Sequence, residues 1–284
     1  MSHSIILPTS AFLGNFEKFT NLNTFPRALT PLTLQPQNSS FVSLHPIISA
    51  ILLSLSPKLT SPYLTPTHTI KSSSNLQSYF DESLNQFHLS AKDSILAKYI
   101  LSELTRNTLE HSLDPRGATI ALSYSKKSNT LRIGVADHGV GIKSTISDLG
   151  SAITDYGSLI HALTPGVTGT SITPGGTSEN AGAGLFFVKS LAHQLGSHFL
   201  LYSGTGLFKL LKRKTVRSIL KPDSSFDHAS GGNDYPLYPG TAVGIDIPLD
   251  TLPDFASALS QIRSEFYSAI QNIPSLPSTG AKFI

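Results

Sequence analysis

SELTRNTLEHS (residues 102–112), ATIALSYS (118–125), NTLRIGVADHGVGI (129–142) and NAGAGLFFVKSLAHQLG (180–196) are the segments of the stretch Ile100–Leu185 that decide the fold. In the first, Glu103, Asn107 and His111 recur at every fourth residue, so they share one face of a helix. The second and third read as a hairpin. Leu131, Ile133 and Val135 alternate with Arg132, Gly134 and Ala136, the period of a half-buried antiparallel strand. That strand runs into Asp137-His138-Gly139-Val140-Gly141-Ile142, an acid at a strand end followed by alternating glycines that let backbone turn sharply and approach a ligand. A long span rich in Gly, Ser and Thr, Lys143–Asn180, leads to Gly182-Ala183-Gly184-Leu185. There, glycine-interrupted backbone opens a helix, and amides at a helix start can face an anion.

Working outward, the helix carrying Glu103 runs from a cap at Ser90 to about Ser112, with Ile95, Leu96, Tyr99, Ile100 and Leu104 expected on its buried side. Leu76, Tyr79, Phe80, Leu84 and Phe87 place another helix before it, from about Asn75. After the glycine-opened helix, HFLLYSGTGLFKLLK (198–212) reads as a hairpin turning at Ser203–Gly206, and KRKTVR (212–217) as a basic strand edge. Pro222–Pro239 is expected to be a loop. YPGTAVGIDIPLD (238–250) then closes the region as a strand, and the residues after Leu252 read as a short helix and a Ser/Pro tail. Lys189 and Arg106 are expected to be solvated charges.

Residues 1 to about 90 are dominated by Leu, Ser, Thr and Pro. They yield a strand at Leu32–Leu34, an extended piece at Phe41-Val42, and a helix from Pro46 to Leu55 capped by Ser43 or His45, with proline suited to the first helical turn. Thr65–Ser78 has the composition of a linker. The expected organisation is a small α/β accessory domain over 1–75, a main domain over 76–252 and a C-terminal helix and tail over 253–284.

The whole chain has 284 residues, 39% of them hydrophobic, enough to bury one large core or two modest ones. Cysteine is absent, which excludes a disulfide framework and any thiolate ligand or nucleophile. Only 14% of residues are charged, so the net charge of +3 reflects a shortage of acids and carries no nucleic-acid footprint. The longest apolar run, Ile47–Leu55, is too short for a bilayer, which needs about 20 residues. With no signal peptide legible, a cytoplasmic location is the expectation.

The joint order of these pieces, helix with acid and amide, strand ending in Asp137-His138-Gly139-Val140-Gly141, long flexible span, then Gly182-Ala183-Gly184-Leu185 at a helix start, resembles the GHKL superfamily of ATPases. That superfamily includes gyrase, Hsp90 chaperones, histidine kinases and MutL. The resemblance covers about residues 91–249. It implies a Bergerat fold, a two-layer α/β sandwich whose mixed, mainly antiparallel sheet is covered on one face by helices. By it, Glu103 matches the general base and Asn107 the magnesium-binding amide. A carboxylate at Glu103 can deprotonate a water or hydroxyl beside the terminal phosphate of ATP, and the Asn107 amide offers a neutral oxygen to Mg2+. Asp137 matches the acid that accepts the exocyclic amino hydrogens of adenine, with Gly139, Gly141 and Ile142 beside it. Gly182, Ala183, Gly184 and Leu185 match the phosphate wrap, Gly240 and Thr241 the pair that supports the adenine pocket, and Lys143–Asn180 the lid. His111 stands open between a phosphate contact and the carbonyls of its own helix end.

With no phosphoacceptor helix before the motif and no second domain after it, three functions remain. They are an ATPase or Ser/Thr protein kinase of the anti-sigma regulatory type, a nucleotide-gated binding switch, and a detached histidine-kinase catalytic domain. ATP and a regulatory protein are the expected partners, with a homodimer left open and neither nucleic acid nor membrane expected. The strand, turn and apolar helix at Leu32–Leu55 have a weaker resemblance to STAS-like domains.

Overall fold

The computed structural model describes residues 3–38, 43–146, 154–165, 184–212, 223–251 and 254–271. At its centre is a seven-stranded sheet. The N-terminal part of the chain supplies β1 (His3–Leu7), β2 (Ser10–Ala11), α1 (Glu17–Thr20), β3 (Leu32–Pro36), β4 (Ser43–Leu44) and α2 (Pro46–Leu55). Here β1 pairs with β3 and β2 with β4, both in parallel. The sheet itself is built from β5 (Thr67–Ile70), β6 (Ala118–Ser125), β7 (Thr130–Ala136), β8 (Phe199–Gly204), β9 (Gly206–Leu210), β10 (Ala229–Gly232) and β11 (Tyr238–Pro248). Their spatial order is β10-β9-β8-β11-β7-β6-β5, and every neighbouring pair is antiparallel. The helices are α3 (Leu76–Asn85), α4 (Ala91–His111), α5 (Ile142–Thr145), α6 (Asp155–Ala162), α7 (Gly184–Gln194) and α8 (Phe255–Gln271).

The two faces of the sheet bury different kinds of side chain. Leu131, Ile133 and Val135 of β7, Phe199 and Leu201 of β8, and Val243, Ile245 and Ile247 of β11 pack with α3, α4, α7 and α8 in one core. The alternate residues, Ala121, Ala136, Leu200, Tyr202 and Ala242, pack with α2 and the rest of the N-terminal layer in a second core. On this second face Gly134 of β7 lies opposite Gly244 of β11. A side chain at Gly134 would overlap the backbone of Ile47, and one at Gly244 would press on Leu13 and Ile47. The two glycines hollow the sheet so that the first turn of α2 can lie against its backbone, as close backbone approach requires.

Several expectations are corrected here. The sheet is antiparallel throughout, where a mixed one was expected; the parallel pairs belong to the N-terminal layer. It is covered on both faces, because the N-terminal residues lie across the sheet instead of standing before it. Thr67–Ile70, within the segment read as a linker, is the edge strand β5 paired to β6. Its polar composition suits an edge that meets solvent. Part of the expected loop Pro222–Pro239 is the opposite edge strand, β10. The C-terminal helix α8 has 17 residues and is no mere tail, since its Phe266 is buried against Phe186 and Phe187 of α7. Ile95 of α4 is 57% exposed. Other elements lie where periodicity put them. Ser90 Oγ accepts from Asp93 N to cap α4. The Nδ1 of His45 caps α2 by accepting from Ile47 N at 3.1 Å. The expected extended piece Phe41-Val42, most of KRKTVR and most of the lid span lie outside the described residues.

Candidate functional site

The site is built along α4, between the Asp137 loop at one end and the start of α7 at the other. At the first end, the backbone after β7 crosses the C-terminus of α4. Val140 N donates to Ser112 O at 2.9 Å, and a Cβ at Gly139 would overlap that same Ser112 carbonyl. Only glycine admits this crossing. Asp137 is 2% exposed. Its Oδ1 accepts from Gly139 N at 2.9 Å and Thr241 N at 3.2 Å, while its own N donates to Thr241 O at 2.9 Å. Its Oδ2 takes part in none of these bonds. Burial pushes the Asp137 carboxyl up to about 7, against the two backbone donors that favour the charged form. Gly141 turns the chain at φ +75° into α5, where Ile142 N donates to Ser203 Oγ at 3.0 Å. Ser203 Oγ in turn donates to Gly240 O at 2.6 Å, and Thr241 Oγ1 lies 3.4 Å from it. Asp137, Gly139 and Thr241 are therefore joined to Ile142 through Ser203 in one hydrogen-bonded cluster, with Gly141 at its turn.

The other end lies about two turns back along α4. From Ser112 to Glu103 the helix rises roughly 13 Å at 1.5 Å per residue. Glu103 and Asn107 both face the first residue of α7: a Cβ at Gly184 would stand 2.8 Å from Glu103 Oε2 and 2.9 Å from Asn107 Nδ2. Glycine there lets the α7 backbone lie directly on the acid and the amide. Asn107 Nδ2 is buried without a hydrogen-bond partner among the described residues. A buried, unpaired amide costs about 1–3 kcal/mol and is a group that a ligand would satisfy. The Glu103 side chain is 17% exposed, and burial raises its pKa although Arg106 opposes the shift.

Arg106 corrects an expectation. It does not stand apart as a solvated charge; its Nη2 donates to Glu103 Oε1 at 2.6 Å. One turn of spacing on α4 makes the pair. Lys189 is corrected too. It is 2% exposed and donates to Asp227 Oδ2 and Ser224 Oγ, each at 2.7 Å, which moors α7 to the segment that follows β9. His111 is half-buried on the last turn of α4, with Nε2 4.0 Å from Glu110 Oε2, and burial lowers its pKa. Leu185 is partly buried against the helical core. Gly182 and Ala183 lie outside the described residues.

Sequence reasoning missed Ser203, Tyr238, Asp114 and Arg116, which hold the Asp137 loop. Tyr238 Oη donates to Asp137 O at 2.6 Å, and Asp114 Oδ2 accepts from His138 N at 2.9 Å. None belongs to a local motif. Asp114 alone could have been suspected, as a turn-type residue just past a helix end.

Compared with models of known protein families and with curated proteins, the chain matches none. No helix among the described residues is long and apolar enough to cross a membrane.

Proposed function

We propose that this chain binds Mg-ATP in a Bergerat-type pocket of the GHKL kind and acts on it, as an ATPase or a Ser/Thr protein kinase of the anti-sigma regulatory type. The observation that carries the reading is the meeting of Gly184 with Glu103 and Asn107. It brings the start of a helix, an acid with a raised pKa and a carboxamide unpartnered among the described residues into contact. To reach these groups a triphosphate would have to part the α7 backbone from the acid and the amide, its charge then met by the amides at the start of α7. At the far end of α4, Asp137 Oδ2 offers the acceptor that an adenine amino group needs. Guanine presents a carbonyl there, so the same carboxylate repels it.

Glu103 then takes a proton from the attacking water or hydroxyl as its oxygen bonds to the terminal phosphorus and the bond to the ADP oxygen breaks. A pKa raised by burial suits that task at neutral pH. Asn107 fits a magnesium ion, whose preference for few protein ligands matches a site with one carboxamide; the ion would neutralise phosphate charge. Leu185 belongs to the helix start that carries the phosphate-facing amides, and His111 faces the same side of α4 one turn on from Asn107. A regulatory protein is the expected partner or phosphoacceptor, and a cytoplasmic setting accords with cysteine-free chemistry. Incubation with labelled ATP and Mg2+, alone and with candidate partner proteins, tests the proposal. Label released as phosphate or transferred to protein supports it, and no nucleotide binding at all overturns it.

The Glu103–Arg106 pair favours a second reading. With its carboxylate engaged, Glu103 is a poorer base, and the protein could bind ATP only to switch a partner surface. Binding without turnover, unchanged by Glu103→Gln, would select this reading.

A further inference from the structure

The peptide unit joining Asp137 to His138 is held on both sides by groups that trace back to one residue of the N-terminal layer. On one side, Tyr238 Oη donates to Asp137 O at 2.6 Å and lies 2.7 Å from Ser54 Oγ. A carbonyl can only accept, so the single Tyr238 hydrogen goes to Asp137, and Ser54 Oγ, which also lies 2.7 Å from Ile51 O, shares its one hydrogen between that carbonyl and Tyr238. On the other side, His138 N donates to Asp114 Oδ2 at 2.9 Å. Asp114 is gripped by Arg116 through Nε at 2.9 Å and Nη2 at 2.7 Å, and the remaining Arg116 nitrogen, Nη1, donates to Ser54 O at 2.7 Å. Ser54 is buried in the last turn of α2, the helix seated in the hollow over Gly134 and Gly244. The hydroxyl and the carbonyl of one serine thus anchor the carbonyl side and the amide side of one peptide plane.

We infer that Ser54, Tyr238, Asp114 and Arg116 are positioning residues that set the orientation of Asp137, and that through them the N-terminal layer governs the adenine selectivity of the pocket on the other side of the sheet. The inference rests on the ATP reading above. The physical argument is geometric. A peptide plane bonded at both O and N–H resists rotation and so holds the Asp137 Cα in place, while the Gly139 and Thr241 amides hold Oδ1, and the carboxyl is aimed without reorganisation on binding, the condition for a specific polar contact. Tyr238 is stacked on Tyr202 with ring centroids 5.6 Å apart, and Phe25 of the N-terminal layer packs edge-on against both. The hydroxyl is therefore held by a packed aromatic cluster and not by its hydrogen bonds alone. A shift of the N-terminal layer would move Ser54 and that cluster together.

The test uses the full chain and three variants: Tyr238→Phe, Ser54→Ala and Arg116→Gln. Tyr238→Phe keeps the ring and removes only the clamp hydroxyl; Ser54→Ala reaches the clamp from the N-terminal layer, should the first fold poorly. ATP and GTP affinities are measured by calorimetry, the Asp137 carboxyl titration by NMR, and melting temperatures alongside. The expected result is a roughly tenfold loss of ATP-over-GTP preference in each variant. With it, the Asp137 midpoint moves down from about 7 in Tyr238→Phe and Ser54→Ala as water reaches a loosened carboxyl, whereas in Arg116→Gln the loss of the arginine charge opposes that fall. Lower melting temperatures with the preference and the midpoint unmoved would make the clamp merely structural and overturn the inference, leaving the ATP reading intact. A wild type that binds neither nucleotide would overturn both.

Discussion

The two ends of the candidate site are built on opposite principles. The Asp137 end is closed. The N and O of Asp137 and the amides of His138, Gly139, Val140 and Ile142 are paired, the carboxyl is bonded on one oxygen, and the supports come from residues 54, 114, 116, 203, 238 and 241, spread over most of the chain; His138 Nε2 is buried without a partner among the described residues. At the Glu103 end, Asn107 carries an amide unpartnered among the described residues, and an acid of raised pKa is met by a partly exposed arginine. A wall that must choose a base needs fixed acceptors. On the proposed reading, the Glu103 end would receive and release charged phosphates, and its groups would find their partners in the ligand. The difference teaches that a loop can be pinned by contacts from distant parts of the chain while two residues one helical turn apart keep few partners of their own.

The largest expected effect is at the open end. Glu103→Gln should leave ATP affinity nearly unchanged and lower turnover about 10²- to 10⁴-fold, the usual loss for a general base. Phosphate release and calorimetry measure the two separately; equal loss of affinity and rate would mean that Glu103 shapes the pocket and does no base chemistry.

Next comes the mooring of α7, which puts Gly184 over the acid and the amide. Lys189→Met leaves Asp227, only 5% exposed, as a buried charge without its cation. Breaking such a pair costs about 3–5 kcal/mol. Urea unfolding should show this, and a change below about 1 kcal/mol would count against the pair as the anchor.

The closed end should respond more moderately and in selectivity. Asp137→Asn replaces an acceptor by a group that can turn its donor to the base, and loss of a charged hydrogen bond costs about 1.5–3 kcal/mol. ATP affinity should drop about 10- to 100-fold while GTP affinity holds or improves; parallel losses for both would refute adenine reading by this residue.

Proton linkage sharpens the same contrast. Burial raises the Asp137 carboxyl from 3.8 to about 7, so its contribution to folding stability is fully present below about pH 4 and is lost as pH rises through 7. ATP binding runs the other way, because the amino group needs the ionised acceptor. Affinity should weaken as pH falls below 7, with proton release on binding near neutrality. The charged groups around it are Asp114, which raises the value, and Arg116, which lowers it. Calorimetry in buffers of different ionisation heat would detect the released proton, and pH-independent affinity from 5.5 to 8 would contradict the assignment.

The smallest effect on stability belongs to Arg106→Ala. The arginine is 42% exposed, and such one-turn pairs contribute about 0.3–0.5 kcal/mol. Its influence should appear in the rate profile instead. Without the guanidinium, the already raised Glu103 pKa rises further, so the acid limb of turnover moves to higher pH. An unmoved limb would show that Arg106 does not tune the base.

What local pattern could specify, the sequence determined. Apolar residues at three- and four-residue steps and a serine cap mark α4, proline after His45 starts α2, and strict alternation marks β7 and β11, because each depends on side chains within a turn or a strand of one another. The shared face of Glu103 and Asn107 follows from helix geometry alone. What only the tertiary structure decided is long-range. That polar Thr67–Ile70 joins a sheet edge depends on its pairing with β6, and that the N-terminal segment covers the second face depends on two glycines in different strands meeting in register. Arg106 and Lys189 read as solvated because a charged side chain usually is, and their partners become visible only when side chains take positions in space. The clamp on Asp137 is the furthest case: Ser54 and Tyr238 are 184 residues apart, and no local rule relates them. Periodicity reports which side of an element is buried; against what it is buried is settled by contacts whose sequence separation carries no signal.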